Sequence, residues 1–448
     1  MGFHDATGGA QFYTYYEQGI PSPELDDFMK GAMLDQSGEP ALKAELAAIT
    51  GSDAVVLAPG QSAVAADYAA LGWRQTSSNP VVYVPPSPSG LAAQRSGGGA
   101  ILVIGQLAAA PSHPYNDLFE RAAQGMIPFS AGWLVRPRSA FIDDYSDAEL
   151  AGYSALVLLG YQYHDAGTAW QRLDHYVRNG GRLFVETGWQ YVDPDWNATS
   201  SHSVLPVGSL GWGALDPTVP VSVQGAADPL FGGFTYQGGG WGASSASGVR
   251  PGAEPLIQVG GRVVAARWSF GKGRVVWSGM NLIAHAETAK SDDEYAFLAR
   301  QFAWLLASPA GSAASPVSPD TPTWVGNDQA QISLTASPGP TSVLFKESMA
   351  PGWSAELEWP GGSRAVTIEP AEMDFMLVRL PSVPDGSMLV FHYGPTWQVY
   401  LWWAASALTL FLLMVWVAAP APYRWAWTRV VGITGRVRER VSSSWGSE

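Results

Sequence analysis

The run GGRLFVETGWQ at 180–190 reads as a short apolar strand, Leu183, Phe184 and Val185, entered through a glycine pair and left through Glu186-Thr187-Gly188. In open α/β sheets, ligands and reacting groups collect at the carboxyl ends of strands, and here that position holds a carboxylate and a hydroxyl. The later run WSGMNLIAHAET places His285 on a loop after another strand, at the same predicted edge. A glutamate and a histidine brought together there have the chemistry of a general base and acid, or of two ligands to a metal that finds a third. The competing reading is structural. A carboxylate at a helix N-terminus is favourable with no chemistry attached, which would make Glu186 a cap and His285 an ordinary polar loop residue. Thr187 as a nucleophile lacks an assured base.

Other polar groups fall on the same edge. His164 and Asp165 lie in GYQYHDAG, and Asp193 and Asp195 in YVDPDWN. Their spacing matches no metal-binding motif, so no metal is assigned, and solvated loop residues are the simpler reading. The GKGR run at 271–274 lacks the frame of a phosphate-binding loop and sits between two strands, so it is a turn, and no cofactor is called for. Trp189, Trp212, Trp241 and Tyr236 fall in glycine-rich loops outside any periodic core run. Exposed indole faces stack sugar rings; the alternative is that they pack these loops onto the sheet. Together with His164 and Asp165 they are the candidate ligand-binding residues.

The elements that must hold these groups follow from periodicity. AILVIGQ, YSALVLLG and RLFVETG are buried strands, separated by the helical runs NDLFERAAQGM and TAWQRLDHYVRNGG. Such alternation predicts a parallel sheet covered by helices on both faces. The passage from about 191 to 255 reads as strands and loops inserted at the sheet edge. GGRVVAARWSFGKGRVVWSGMN then reads as a hairpin, and SDDEYAFLARQFAWLLAS is a closing helix with Ser291 as N-cap and Glu294 as its capping-box partner. Six short strands after residue 326, at regular spacing with Pro and Gly turns, carry the signature of a β-sandwich. The organisation predicted is a small α/β unit over 1–92, a linker at 93–99, an α/β domain over 100–308, a Pro/Ser linker at 309–325, the sandwich over 326–395, a membrane helix at 396–421 and a basic tail at 422–448.

Composition bounds the partners. The 448-residue chain carries a formal net charge of −14, which argues against nucleic acid, and it has no cysteine, which removes disulfides, thiolate metal sites and cysteine nucleophiles. From Trp397 to Ala421 there is no charged residue. That length spans a hydrocarbon core of about 30 Å as a helix, and aromatic residues cluster toward both ends. Arg424, Arg429, Arg436, Arg438 and Arg440 follow, so the predicted topology puts the C-terminus in the cytoplasm and everything before Trp397 outside the cell membrane, with the lipid bilayer as a partner. The first residues have neither the basic nor the apolar segment of an export signal. The reading is therefore that the chain continues a larger membrane protein, or works beside one.

Two resemblances add to this. The segment YSALVLLG…AWQRLDHYVRNGGRLFVETGWQ resembles the class I glutamine amidotransferase-like fold, a flavodoxin-like parallel sheet whose working cysteine stands in a pattern close to G-I-C-x-G-x-Q. With Gly188 and Gln190 on the last Gly and Gln of that pattern, Glu186 takes the place of the cysteine. The resemblance implies a histidine partner from a late strand or loop, which His285 would supply, and the substitution implies lost glutaminase activity. The ends of the chain, with VLFKESMAPGWSAELEW, EPAEMDFMLVRLP and LVFHYGP running into the apolar segment, resemble the C-terminal extracytoplasmic part of YfhO-like and 6-pyruvoyl-tetrahydropterin-synthase-related membrane proteins. Those carry a multi-helix membrane body of the glycosyltransferase C type. The function these readings imply is a membrane-anchored accessory or glycan-binding region, serving such a glycosyltransferase body and its glycans or lipid-linked sugars in the cell envelope. The alternative is an extracytoplasmic hydrolase using Glu186 and His285.

Overall fold

The computed structural model describes residues 43–418 apart from 44–46, 50–51, 53, 58–61, 87–89, 106–125, 129–130, 189–200, 215–220, 224–241, 290–291, 308–316, 327, 372–374 and 395–396. Its largest sheet has eight strands: β1 (Ala100–Gly105), β2 (Trp133–Val135), β3 (Ala155–Leu159), β4 (Arg182–Glu186), β5 (Val221–Val223), β6 (Glu254–Val259), β7 (Arg262–Phe270) and β8 (Gly273–Ser278). They lie in the order β5-β6-β7-β8-β4-β3-β1-β2. β8, β4, β3, β1 and β2 are mutually parallel, while β5, β6, β7 and β8 pair antiparallel.

The expected flavodoxin-like parallel sheet is thus corrected to a mixed one. The hairpin through Gly271 reverses the chain beside β8, and the segment before it adds two more antiparallel strands. Among the described residues strand outweighs helix, and the other sheets are antiparallel.

Helices cover both faces of the parallel half. α1 (Asp147–Ala151) is short, α2 (Ala166–Arg178) packs on β4 and β8, and the pair α3 (Leu282–Ala289) and α4 (Asp292–Leu306) follows β8. On one face Phe184 stacks on Phe302 of α4, ring centroids 4.9 Å apart. On the other, Gly273 leaves room for α2, since a Cβ there would stand 2.9 Å from the Val177 side chain and 2.1 Å from the carbonyl of Gly181.

Two five-stranded antiparallel sheets lie beyond, sharing a core of Val343, Phe345, Met376, Leu389 and Phe391. Both segments expected as linkers contribute to them. Ala92–Ser96, inside the predicted linker 93–99 but for its first residue, pairs on one side with Thr341–Ser348 and on the other with Val317–Asp320 from the predicted linker 309–325. The small α/β unit is a three-stranded antiparallel sheet with the helix Ser62–Ala70, and its Val64 and Tyr68 join the same hydrophobic core as the eight-stranded sheet.

A last helix, Trp397–Ala418, belongs to a separate unit that begins at Tyr393. Among the described residues no helix is long and apolar enough to cross a membrane. The membrane helix at 396–421 is corrected on that ground. The assignment of the chain to a cell membrane, with its bulk outside and its C-terminus in the cytoplasm, rested on that helix and is withdrawn with it. The tail at 422–448 lies outside the described residues.

Candidate functional site

Glu186 ends β4, and its side chain is only 1% exposed. The alternation of the strand puts it on the same face as Phe184, over the start of α3. There Oε1 accepts from the backbone N–H of Asn281 at 2.7 Å and Oε2 from that of Leu282 at 3.0 Å. The Ser278 hydroxyl and the Gly188 backbone N–H also bond the carboxyl. A helix leaves its first N–H groups without intrahelical partners, and Glu186 takes two at the entrance to α3. Burial nevertheless dominates. Desolvation pushes the Glu186 carboxyl up to about 8, against the lowering by these four donors.

The backbone around it is fixed by the same closeness. Asn281 takes a left-handed φ of 55°, and a Cβ on Gly188 would lie 2.3 Å from the Asn281 nitrogen. Thr187, fully buried, donates its backbone N–H to the Ser278 carbonyl at 2.8 Å, while its hydroxyl accepts from the Trp277 indole at 3.0 Å. Ser244, on the strand Gly242–Ser245, closes the far side by donating to the Thr187 carbonyl at 3.1 Å. Every group of the junction that was a candidate nucleophile or base is held by the protein itself.

His285 lies on α3, one turn into the helix, and not on a loop as expected. Its Nδ1 is 2.7 Å from Oε2 of Glu294 on α4, with both side chains buried. Desolvation raises the Glu294 carboxyl and the neighbouring imidazole lowers it, with the net shift upward. Ser291, the other half of the capping box predicted at the start of α4, is outside the described residues. Glu186 thus bonds the entrance to α3 from β4, while His285, on α3, bonds Glu294 of α4.

His164 and Asp165 follow β3. The Asp143 carboxylate accepts from the backbone N–H of both, at 3.0 and 2.8 Å. The His164 ring stacks on Phe141 with centroids 4.0 Å apart and reaches Asp144 at 3.3 Å. Asp165 is the N-cap of α2, accepting from Thr168 N–H at 2.7 Å. Sequence reasoning missed Phe141, Asp143 and Asp144, which come from a segment that carried no pattern of its own. Among the described residues no group of three or more His, Asp or Glu could hold a metal.

Trp212 lies on the strand Gly211–Ala214 and is 43% exposed. Its ring rests against Gly242 of the paired strand, where a Cβ would stand 2.5 Å from Cζ2. The glycine is the seat of the ring, a role its sequence neighbours did not advertise. Trp189, Trp241 and Tyr236 lie outside the described residues, as do Asp193 and Asp195.

No family model matches the chain, and no curated protein does. Solved structures are similar at low level. A cytoplasmic protein from Salmonella typhimurium is 13% identical, with 46% of this chain and 98% of that one covered and a TM-score of 0.32. A ThuA-like protein from Bacteroides uniformis is 14% identical, with 48% and 94% covered and a TM-score of 0.32. A β-galactosidase from Bacillus circulans sp. alkalophilus is 13% identical, with 66% and 41% covered and a TM-score of 0.30. Likeness at this level carries no argument about what the chain does.

Proposed function

We propose that this chain is a binding protein, not an enzyme at its strand-end junction, and that its ligand is a glycan. The observation that carries the reading is the occupation of Glu186. A raised carboxyl is what a general acid needs, but both oxygens of this one accept from backbone N–H groups in a site almost closed to solvent. A hydrolase built on Glu186 and His285 would need the two to face one substrate, whereas the imidazole is engaged with Glu294. The ligand class comes from Trp212, a half-exposed indole held against Gly242, which suits it to stacking on the apolar face of a sugar ring.

The test uses the full chain on a glycan array, followed by tryptophan-fluorescence titration of the glycans retained. Binding to at least one glycan is expected, abolished by Trp212→Ala and kept by Glu186→Gln. Capture of no glycan overturns the ligand assignment. Ester or glycoside hydrolysis that disappears in a folded Glu186→Gln protein overturns the non-enzymatic reading.

A further inference from the structure

The amino-terminal edge of the same sheet carries a different chemistry. β4 begins with Arg182 and β8 with Gly273-Arg274, and in the parallel register Arg274 and Arg182 are direct Cα partners. They therefore stand side by side on one face, on strands about 5 Å apart, where like charges repel. Both reach the end of α4: Arg274 Nη1 donates to the carbonyls of Trp304 at 2.6 Å and Ala307 at 3.0 Å, and Arg182 Nη2 to that of Ala307 at 3.3 Å. A helix C-terminus offers about half a negative charge, less than either guanidinium carries.

A third arginine joins them. Arg95 sits at the end of the strand Ala92–Ser96, joined to β1 by Gly97, Gly98 and Gly99, and its stem lies so close to Gly99 that a Cβ there would be 2.4 Å from Cδ. Its Nη1 is buried with no hydrogen-bond partner. Burial first and then the Arg182 charge lower the Arg95 guanidinium, and burial first and then the Arg274 charge lower that of Arg182. Four arginines elsewhere meet carboxylates, Arg138 with Glu149, Arg178 with Asp174, Arg267 with Glu254 and Arg379 with Glu369, while Arg250 and Arg262 stand singly and donate to carbonyls and serines. At this edge, in a chain of net charge −14, the hydrogen bonds of Arg182 and Arg274 end on carbonyls and that of Arg95 Nη1 is missing among the described residues.

We infer that Arg95, Arg182 and Arg274 form a binding site for a phosphate dianion, carried as free phosphate or as a phosphomonoester. Guanidinium forks match phosphate oxygens two at a time, and a dianion offsets the repulsion that the apo site retains. Arg95 is the group to change, because it caps no helix.

The experiment is calorimetric titration of the full chain with inorganic phosphate and, separately, with methyl phosphate, each against sodium chloride of equal ionic strength. Thermal melting runs in parallel. One saturable site is expected, and which of the two anions binds tighter identifies the source. Arg95→Met is expected to weaken binding by about tenfold or more, yet to melt higher than the parent without anion, because it removes repulsion and no hydrogen bond. Arg95→Lys keeps the stem and charge without the fork; it is expected to fold like the parent and bind several-fold more weakly. Absence of saturable binding by both anions overturns the inference. So does retention of parental affinity by the variants that fold.

Discussion

Replacing Glu186 by glutamine should reverse its effect on stability as the pH rises. In the folded chain the carboxyl is pushed up to about 8, from 4.5 without the fold. Between those values the folded state holds a proton that the unfolded state has released, so stability falls with pH across this window and is unaffected by this group outside it. A gap of about 3.5 units at 1.36 kcal/mol each makes the full loss about 5 kcal/mol. Glutamine does not titrate, but its NH2 must face one of the two backbone N–H groups that now meet oxygens. An amide left without an acceptor costs about 1–3 kcal/mol, and that cost is the same at every pH. The variant should therefore be the less stable protein at pH 5 and the more stable one at pH 8.5, with the curves crossing near pH 6. Urea unfolding followed by tryptophan fluorescence from pH 5 to 9 measures this, and the difference between the two proteins cancels every other titrating group. A difference that does not change with pH would refute a shifted carboxyl. A difference that grows in favour of the parent as pH rises would refute the sign, since the four donors would then outweigh burial.

Other changes have narrower outcomes, all read by urea unfolding. Gly279→Ala places a Cβ 2.0 Å from the Ser244 carbonyl and should cost about 3 kcal/mol. Phe302→Ala removes the ring stacked on Phe184 in the core and should cost about 3–5 kcal/mol. His285→Ala takes one partner from the buried pair with Glu294 and should cost about 3 kcal/mol. His164→Ala, at a side chain 61% exposed, should stay within about 0.5 kcal/mol. Asp165→Ala should destabilise measurably more than that at neutral pH, because it removes the N-cap of α2. Hydrogen bonds from Thr168 hold the Asp165 carboxyl below its usual range, so its stabilisation is present above the unfolded carboxylate range and lost as pH falls through the folded value.

What could be read from the sequence was what hydrophobic period alone determines. AILVIG and ALVLL are buried along almost their whole length, as fully apolar runs in a covered sheet must be. The turn at Gly271 was legible because a two-residue turn between β-rich runs has few alternatives. What escaped were strands whose pairing, and not their composition, makes them strands. AAQRS at 92–96 reads as linker, yet it is interior to its sheet, and Gln94 is satisfied there by donating to the Thr335 carbonyl at 2.6 Å and accepting its N–H at 2.7 Å. Val317–Asp320 contains Pro319, which an edge strand tolerates and a sequence pattern penalises. His285 lies on a helix and not a loop because Gly279 and the left-handed Asn281 make the turn and the helix begins at once after it.

The error in the sheet and the closure of the junction have one cause. In a wholly parallel sheet the end of β4 would open beside the free loop of its neighbour, which is where such folds place ligands. Here β8 arrives from a hairpin and passes directly into α3, so residues 278–282 lie across the end of β4 and present two N–H groups and a hydroxyl to Glu186. The glycine- and tryptophan-rich insertion supplies Ser244 against Thr187 from the other side. A carboxyl group is the side chain that suits this place, since its two oxygens meet donors from Asn281 and Leu282 together. A cysteine or serine could not span Asn281 and Leu282 together. Glu186 is therefore a consequence of the hairpin, and a variant that shortened the 262–278 hairpin should destabilise α3 before it affected any other helix, which hydrogen exchange of the 282–289 amides would detect.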